Sequence, residues 1–531
     1  MNAPAHADEP LPMGSLDRRE KLLAFGGVLT VLFLTSLNLT VVGTALPRII
    51  AELEGFQLYA WAFTAFSLAQ TVSLPVYGKL SDLYGRKRVL LFGILLFSAS
   101  SALGGFAQDM PQLILVRALQ GLGGGALTSM SFSAIGDIFT PRERGKYNGF
   151  TGAVFGISSV VGPLAGGLIT DTLGWRWVFF VNVPIALVAF FVISRFFPGP
   201  TSRAGGRVDM PGTVLLVLAV VPLLLALTFG GVDFAWTSTP MLALFGVSVV
   251  MLAGFIVRQR LATDPVLDPK LFADRTFRAA NIGGFLTGAA MFGAIIYLPL
   301  YIQGVQGASA AASGFALAPL MLGMVASSTL SGLSVSRTGR YKRLILAGLM
   351  TMVIAFLLVS TLDVGTAMIL TVAFSVLVGL GIGPTNSLFV LAVQNAFPIG
   401  KLGTVTSANM FFRQMGGTIG VAVFGAMVAA SLTGHVRDQL PPALAALPPT
   451  VLEEIASPNL LTSPAQLATA RGLVEDVAEP GAFDALVDGL RHALASALGK
   501  VFLVGAGSAG LAFVAATFLP ELELRGPKTG G

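Results

Sequence analysis

Long apolar runs recur along the whole chain, and no other feature of the sequence restricts the fold so strongly. They fall at about 22–44, 58–78, 89–108, 112–135, 148–170, 177–197, 211–231, 240–257, 279–303, 312–335, 344–362, 366–393, 404–431 and 498–519, fourteen in all. A helix needs about 20 apolar residues to cross the hydrocarbon core of a bilayer, so each run is a candidate span. None shows the period-two alternation of barrel strands. The expected fold class is therefore an all-α polytopic membrane protein. The first run is too long for a cleaved leader and has no clear cleavage site, so it counts as a span. Hydrophobic residues make up 54% of the chain and charged ones 11%, with mean hydropathy +0.79. A soluble domain carries about a quarter charged residues, so a water-soluble enzyme and a disordered chain are both excluded.

An even number of spans puts both ends on one side, and the charges say which. Of the 33 Lys and Arg residues, 25 fall in the two tails and the alternate loops on one face, six fall on the other face, and Arg117 and Arg413 lie inside runs. Basic loops stay in the cytoplasm, so both termini are expected there. The formal charge of +6 is small and scattered, which does not suggest nucleic acid. With no cysteine, neither a disulfide nor a thiolate site can form, and His6, His435 and His492 all lie outside the apolar runs. No metal site and no cofactor is expected. The connector 432–497 is long, extracytoplasmic and unreadable in function; a surface cap is the plainer expectation.

The chain also repeats itself. Gly78-Lys79-Leu80-Ser81-Asp82-Leu83-Tyr84-Gly85-Arg86-Lys87-Arg88 joins runs two and three, and Gly332 to Arg343 joins runs ten and eleven with the same Gly-x6-Gly-Arg pattern. Both copies lie on the basic face. This divides the chain into a cytoplasmic tail 1–21, a six-helix bundle 22–200, two inserted helices with linkers 201–278, a second six-helix bundle 279–520 that includes the 432–497 connector, and a tail 521–531. Two homologous halves around a shared midplane site is a common transporter plan.

At these residues the chain resembles the major facilitator superfamily. Gly78 to Arg88 is similar to its cytoplasmic loop signature, and Arg117-Ala-Leu-Gln120-Gly121 to its fourth-helix motif. Gly152, Gly156, Gly162, Pro163, Gly166 and Gly167 resemble the fifth-helix motif of its antiporters. Leu39 to Val42 with Ala45-Leu46-Pro47, Trp175 to Pro184, and Arg413-Gln414-Met-Gly416-Gly417 resemble the fourteen-span drug:proton antiporter, or multidrug efflux, group. The resemblance implies a major facilitator fold and a secondary transporter in the cytoplasmic membrane of a bacterium. Such a protein exports small amphiphilic or drug-like molecules by alternating access, with protons as coupling ion and the lipid bilayer as surroundings. It implies a latch built from Gly78, Asp82, Gly85, Arg86, Lys87, Arg88 and Asp137, against which the plain alternative is a solvated basic anchor. The fifth-helix glycines imply a pliable contact between halves, against which the alternative is static packing.

A charge inside a span is costly and usually faces a cavity or a partner, which singles out Arg117 and Arg413. Asn38 and Arg117 lie nine and eight residues below the outer ends of their helices, so they come to similar depth and can meet across the cavity. The family usually has Asp at the position of Asn38; this chain does not, and an amide cannot exchange a proton. No acid lies in the middle of any run. Two expectations follow. Protons couple through Asp82, Asp137 or an outer-end acid such as Glu52, Glu54 or Asp171; or the cavity is net positive and takes anionic, zwitterionic or amphiphilic cargo. The plainer alternative is that both arginines are structural. The expected substrate and coupling cavity comprises Asn38, Trp61, Gln70, Arg117, Gln120, Arg413 and Gln414. An ATP-driven pump is disfavoured because no GxxxxGK[ST] loop is present, and no catalytic constellation points to an enzyme. Rival expectations are an exporter of a lipid or anionic metabolite not coupled through a first-helix acid, and a superfamily importer. A monomer suffices, and nothing sets the oligomeric state.

Overall fold

The computed structural model describes residues 17–53, 58–197, 208–231, 234–308, 310–439, 470–472 and 482–524. Almost all of them are helical. The first half consists of α1 (Arg18–Leu53), α2 (Tyr59–Tyr84), α3 (Arg86–Gly105), α4 (Met110–Ile138), α5 (Pro141–Thr172), and a broken sixth span made of α6 (Arg176–Phe180) and α7 (Asn182–Phe196). The inserted pair is α8 (Met210–Phe229) and α9 (Thr239–Leu261). The second half comprises α10 (Arg275–Leu300), α11 (Ala310–Thr338), α12 (Lys342–Val359), α13 (Met368–Ala396), α14 (Leu402–Gln439) and α15 (Ala482–Thr517).

Thirteen of the described helical segments are long and apolar enough to span a bilayer. The expected run 58–78 forms α2, whose Thr64, Gln70, Thr71, Ser73, Ser81 and Asp82 lower its hydropathy. It is nevertheless packed between α4 and α14, so its polar residues face protein rather than lipid. In hydrocarbon the backbone is satisfied only by helices or closed barrels, which is why apolar runs without strand periodicity become helices. Helix ends follow local chemistry. Asp109 accepts from Gln112 N at 2.8 Å to start α4. Thr140 and Glu143 form a capping box at α5.

The last run was expected at 498–519, but α15 begins at Ala482, and α14 continues to Gln439 beyond the expected 431. Both extensions are helical stretches of lower hydropathy, with Arg437 and Asp438 in the first and Asp484, Asp488 and Arg491 in the second, so a span-length window misses them. Most of the 432–497 connector lies outside the described residues.

Both described ends lie on the basic face. Tyr341 Oη donates to Pro520 O at 2.9 Å, and Asn395 Nδ2 reaches Leu522 and Glu523 carbonyls. At the chain's start, Phe25 packs edge-on against Phe139 and Tyr147. The stretch after α9 lies along the same face. Val266 is 1% exposed there. Asp264 sits 3.7 Å from Lys79 of α2, and Asp268 3.8 Å from Lys401 before α14. Asp209, buried at the start of α8, ties the pair together by accepting from Arg258 Nε at 3.0 Å and Gln259 Nε2 at 3.1 Å.

Candidate transport site and gate

The Gly78–Arg88 loop is brought directly against the second half. Gly78 packs so closely on α14 that a Cβ there would lie 1.8 Å from Ser407 Oγ. Asp82 is buried and accepts from Gly403 N at 2.9 Å, Thr404 N at 2.8 Å and Thr404 Oγ1 at 2.8 Å. Those are first-turn donors of α14, which a helix leaves without internal partners, so a carboxylate of one half caps a helix of the other. Gly85 has φ 88°, a conformation open to glycine that turns the chain sharply into α3. Arg86, 3% exposed, lies between Asp82 (3.2 Å) and Asp137 (2.9 Å) and donates to Ile399 O at 3.0 Å. Lys87 is half-buried and Arg88 exposed, so of the four basic residues in this loop it is Arg86 that turns inward. The second copy has no equivalent grip: Ser336 stands where Asp82 does and is only half-buried.

A second seam joins α5 to α11. Cβ atoms on Gly145 and Gly149 would meet Gly332 O and Thr329 Cα at 2.8 Å, and those on Gly152 and Gly156 would meet Ser328 Oγ at 3.3 Å and Val325 Cγ2 at 2.7 Å. Small residues at such spacing let helix backbones approach. The expected motif therefore splits. Gly152 and Gly156 face the other half, whereas Gly162 and Gly166 pack within their own half, against Thr40 and Thr44 of α1. Pro163 is exposed, and Gly167 has no neighbour within 4 Å of an added Cβ. Gly145 and Gly149 were not anticipated, although their spacing extends the same helical stripe. Nor were Gly403 and Thr404, or Gln394, whose Nε2 donates to Phe132 O at 3.0 Å across the halves.

Asn38, Arg117 and Gln120 come together. Arg117 Nη1 donates to Asn38 Oδ1 at 2.8 Å and Gln120 Oε1 at 2.7 Å, and Nε donates to Ala62 O at 3.1 Å. The guanidinium carbon lies 4.4 Å from the Phe66 ring centre. All three residues are 0% exposed. They meet inside the packing of α1, α2 and α4 rather than across an open cavity, because the Arg117 side chain leans back onto α2. Gln70 donates to Thr128 Oγ1 at 3.1 Å and so joins α2 to α4. Trp61 packs 4.9 Å from Phe229 of α8, turned to the inserted pair instead of to Arg117. In the other half, Arg413 donates to the backbone carbonyl and side-chain oxygen of Asn386, and Gln414 is half-buried beside it.

Outside the spans, Glu52 accepts from Trp175 Nε1 at 2.9 Å and pairs with Arg176. The Arg176 bond, with Trp175 assisting, holds the Glu52 carboxyl below the usual value. Glu54 lies outside the described residues, and Asp171 is exposed.

Two helical halves are gripped together at one membrane face by the first copy of the repeated loop, an arrangement that fits a membrane transporter. The Major Facilitator Superfamily profile matches residues 28–421, and the chain belongs to that superfamily. It is 37% identical over 513 residues to the multidrug transporter protein MdtP of Bacillus subtilis (strain 168), covering 96% of this chain and 95% of that protein. It is 38% identical over 412 residues to multidrug resistance protein 3 of the same organism, covering 78% of this chain and 80% of that one. Among solved structures, the human organic anion transporter MFSD10 (TETRAN) aligns with TM-score 0.63 at 15% identity, over 93% of this chain and 99% of that one. The proton:xylose symporter XylE aligns with TM-score 0.58 at 13% identity, over 96% and 98%. At such identity these two speak to the fold alone.

Proposed function

We propose that the chain is a fourteen-span secondary active exporter of small amphiphilic or drug-like molecules, seated in a bacterial cytoplasmic membrane with both termini inside. The observation that carries the reading is the trans-half cap of Asp82 on Gly403 and Thr404, with Arg86 reaching Ile399. With the basic face inside, this grip closes the transporter toward the cytoplasm, so the conformation is outward-facing. The hydrogen bonds between halves gather at that face: Arg86 donates to Ile399, Arg144 to Gln394, Gln394 to Phe132, and Thr329 to Gly149. At the opposite face Glu52 and Arg176 bond within the first half, and Tyr301 bonds to Asp363 within the second. Rocking about the α5–α11 glycine seam then opens one side as the other closes. The names of the two Bacillus relatives support efflux of drug-like cargo.

Because Asn38 cannot carry a proton, proton coupling here runs through the gate carboxylates Asp82 and Asp137 or an outer-end acid. Transport in proteoliposomes, with an imposed proton gradient and a panel of lipophilic cations, zwitterions and anions, tests the assignment. Gradient-driven movement of at least one amphiphile, lost when the gradient is collapsed, is the expected result. Flux indifferent to the gradient for every cargo refutes the coupling.

A further inference from the structure

Among the described residues, Arg117 is a charge without a counter-charge. Its partners are the Ala62 carbonyl, the Asn38 and Gln120 amide oxygens and the Phe66 ring, and all four are neutral. Along its own helix the nearest acid is Asp109, eight residues away and engaged in capping α4. On α1 it is Glu52, bonded to Trp175 and Arg176. On α2 it is Asp82, twenty residues beyond Ala62 and committed to the gate. A guanidinium does not give up its proton in a protein, so it cannot escape burial by neutralising. An uncompensated buried ion is strongly destabilising.

The hydrogen bonds sharpen the point. Both amide oxygens turn toward Arg117 Nη1, which turns Asn38 Nδ2 and Gln120 Nε2 away from it. Those two nitrogens and Arg117 Nη2 are all buried donors without an acceptor. Flipping either amide would break a bond to Nη1 and set N–H against N–H. The cluster is thus a full positive charge with three spare buried donors and, among the described residues, no acceptor for them. A water could accept from these donors but would leave the charge unbalanced, whereas an anion does both.

We propose that Asn38, Arg117 and Gln120 form a binding site for a monovalent anion within the first half. The anion is a halide, small enough for an enclosed site, and it supplies the negative charge that the cluster lacks. This is independent of whether the protein exports drugs.

The test uses the purified full-length protein and radiolabelled chloride, with gluconate as the replacing anion. Saturable binding of one chloride per chain is expected, together with a melting temperature that rises with chloride, as for any ligand of the folded state. Asn38→Asp places a fixed carboxylate against Arg117, so it is expected to weaken chloride binding at least tenfold and to make melting independent of chloride. Gln120→Glu is expected to do the same and serves if the first variant does not fold. Absence of saturable chloride binding by the native protein, or equal binding by the native protein and Asn38→Asp, overturns the proposal.

Discussion

Replacing Asp82 by Asn tests the gate most directly. Asp82 makes three hydrogen bonds to the first turn of α14, two from backbone nitrogens and one from Thr404 Oγ1, and an ion pair to Arg86. Hydrogen bonds to a charged group contribute roughly 1.5–3 kcal/mol each. An amide keeps one acceptor oxygen and turns its NH2 toward the remaining donors, so one or two of the three bonds are lost. A net loss of about 2–4 kcal/mol falls on the closed-gate state alone, because the bonds cross between halves. At about 1.4 kcal/mol per tenfold, the equilibrium moves roughly 30- to 700-fold toward opening at the basic face. The assay follows from the composition. The chain has no cysteine, so Val335→Cys introduces a single thiol at a position now 0% exposed and packed against Gly145. In inside-out vesicles, a membrane-impermeant maleimide is expected to label this cysteine at least tenfold faster when Asp82 is Asn. Equal labelling rates in the two backgrounds would refute the reasoning that Asp82 holds the halves together.

Three further outcomes are expected. In a Gly152→Cys, Ser328→Cys double variant the two Cβ atoms lie about 3.4 Å apart, close to the span of a disulfide. Oxidation is expected to abolish transport and reduction to restore it, and undiminished flux in the cross-linked form would rule out movement at this seam. Gly416→Ala would place a Cβ 1.9 Å from Phe285 O. Overpacking of this kind costs about 1–3 kcal/mol, so detergent thermostability is expected to fall, and an unchanged melting temperature would contradict the close α10–α14 approach. Glu52 is held below the usual carboxyl value by Arg176. Any stability it contributes is present above the ordinary carboxyl range and is lost as pH falls through the lowered folded-state value. The melting difference between native protein and Glu52→Gln is therefore expected to be small at neutral pH, because the pair is substantially exposed, and to vanish in acid; a difference that grows on acidification would be inconsistent.

How much of this was legible in the chain depends on the distance over which each effect acts. Apolar runs become helices because hydrocarbon offers the backbone no other partner, a local constraint that needs no knowledge of neighbours. The charge bias of the loops and the Gly-x6-Gly-Arg repeat are likewise written in one dimension. Depth along a helix follows from rise per residue, and so Asn38 and Arg117 could be matched before their contact was seen. Direction around the helix axis is different, because it is set by what packs alongside. Four of the five motif glycines of α5 fall in pairs of one spacing, yet Gly152 and Gly156 meet the opposite half while Gly162 and Gly166 meet α1. Trp61 sits one residue from the carbonyl that Arg117 binds, yet it turns toward the inserted helices. Above all, Asp82 finds its donors 321 and 322 residues away at the start of α14. No pattern near either segment announces that bond, because it exists only when the two halves are closed on each other.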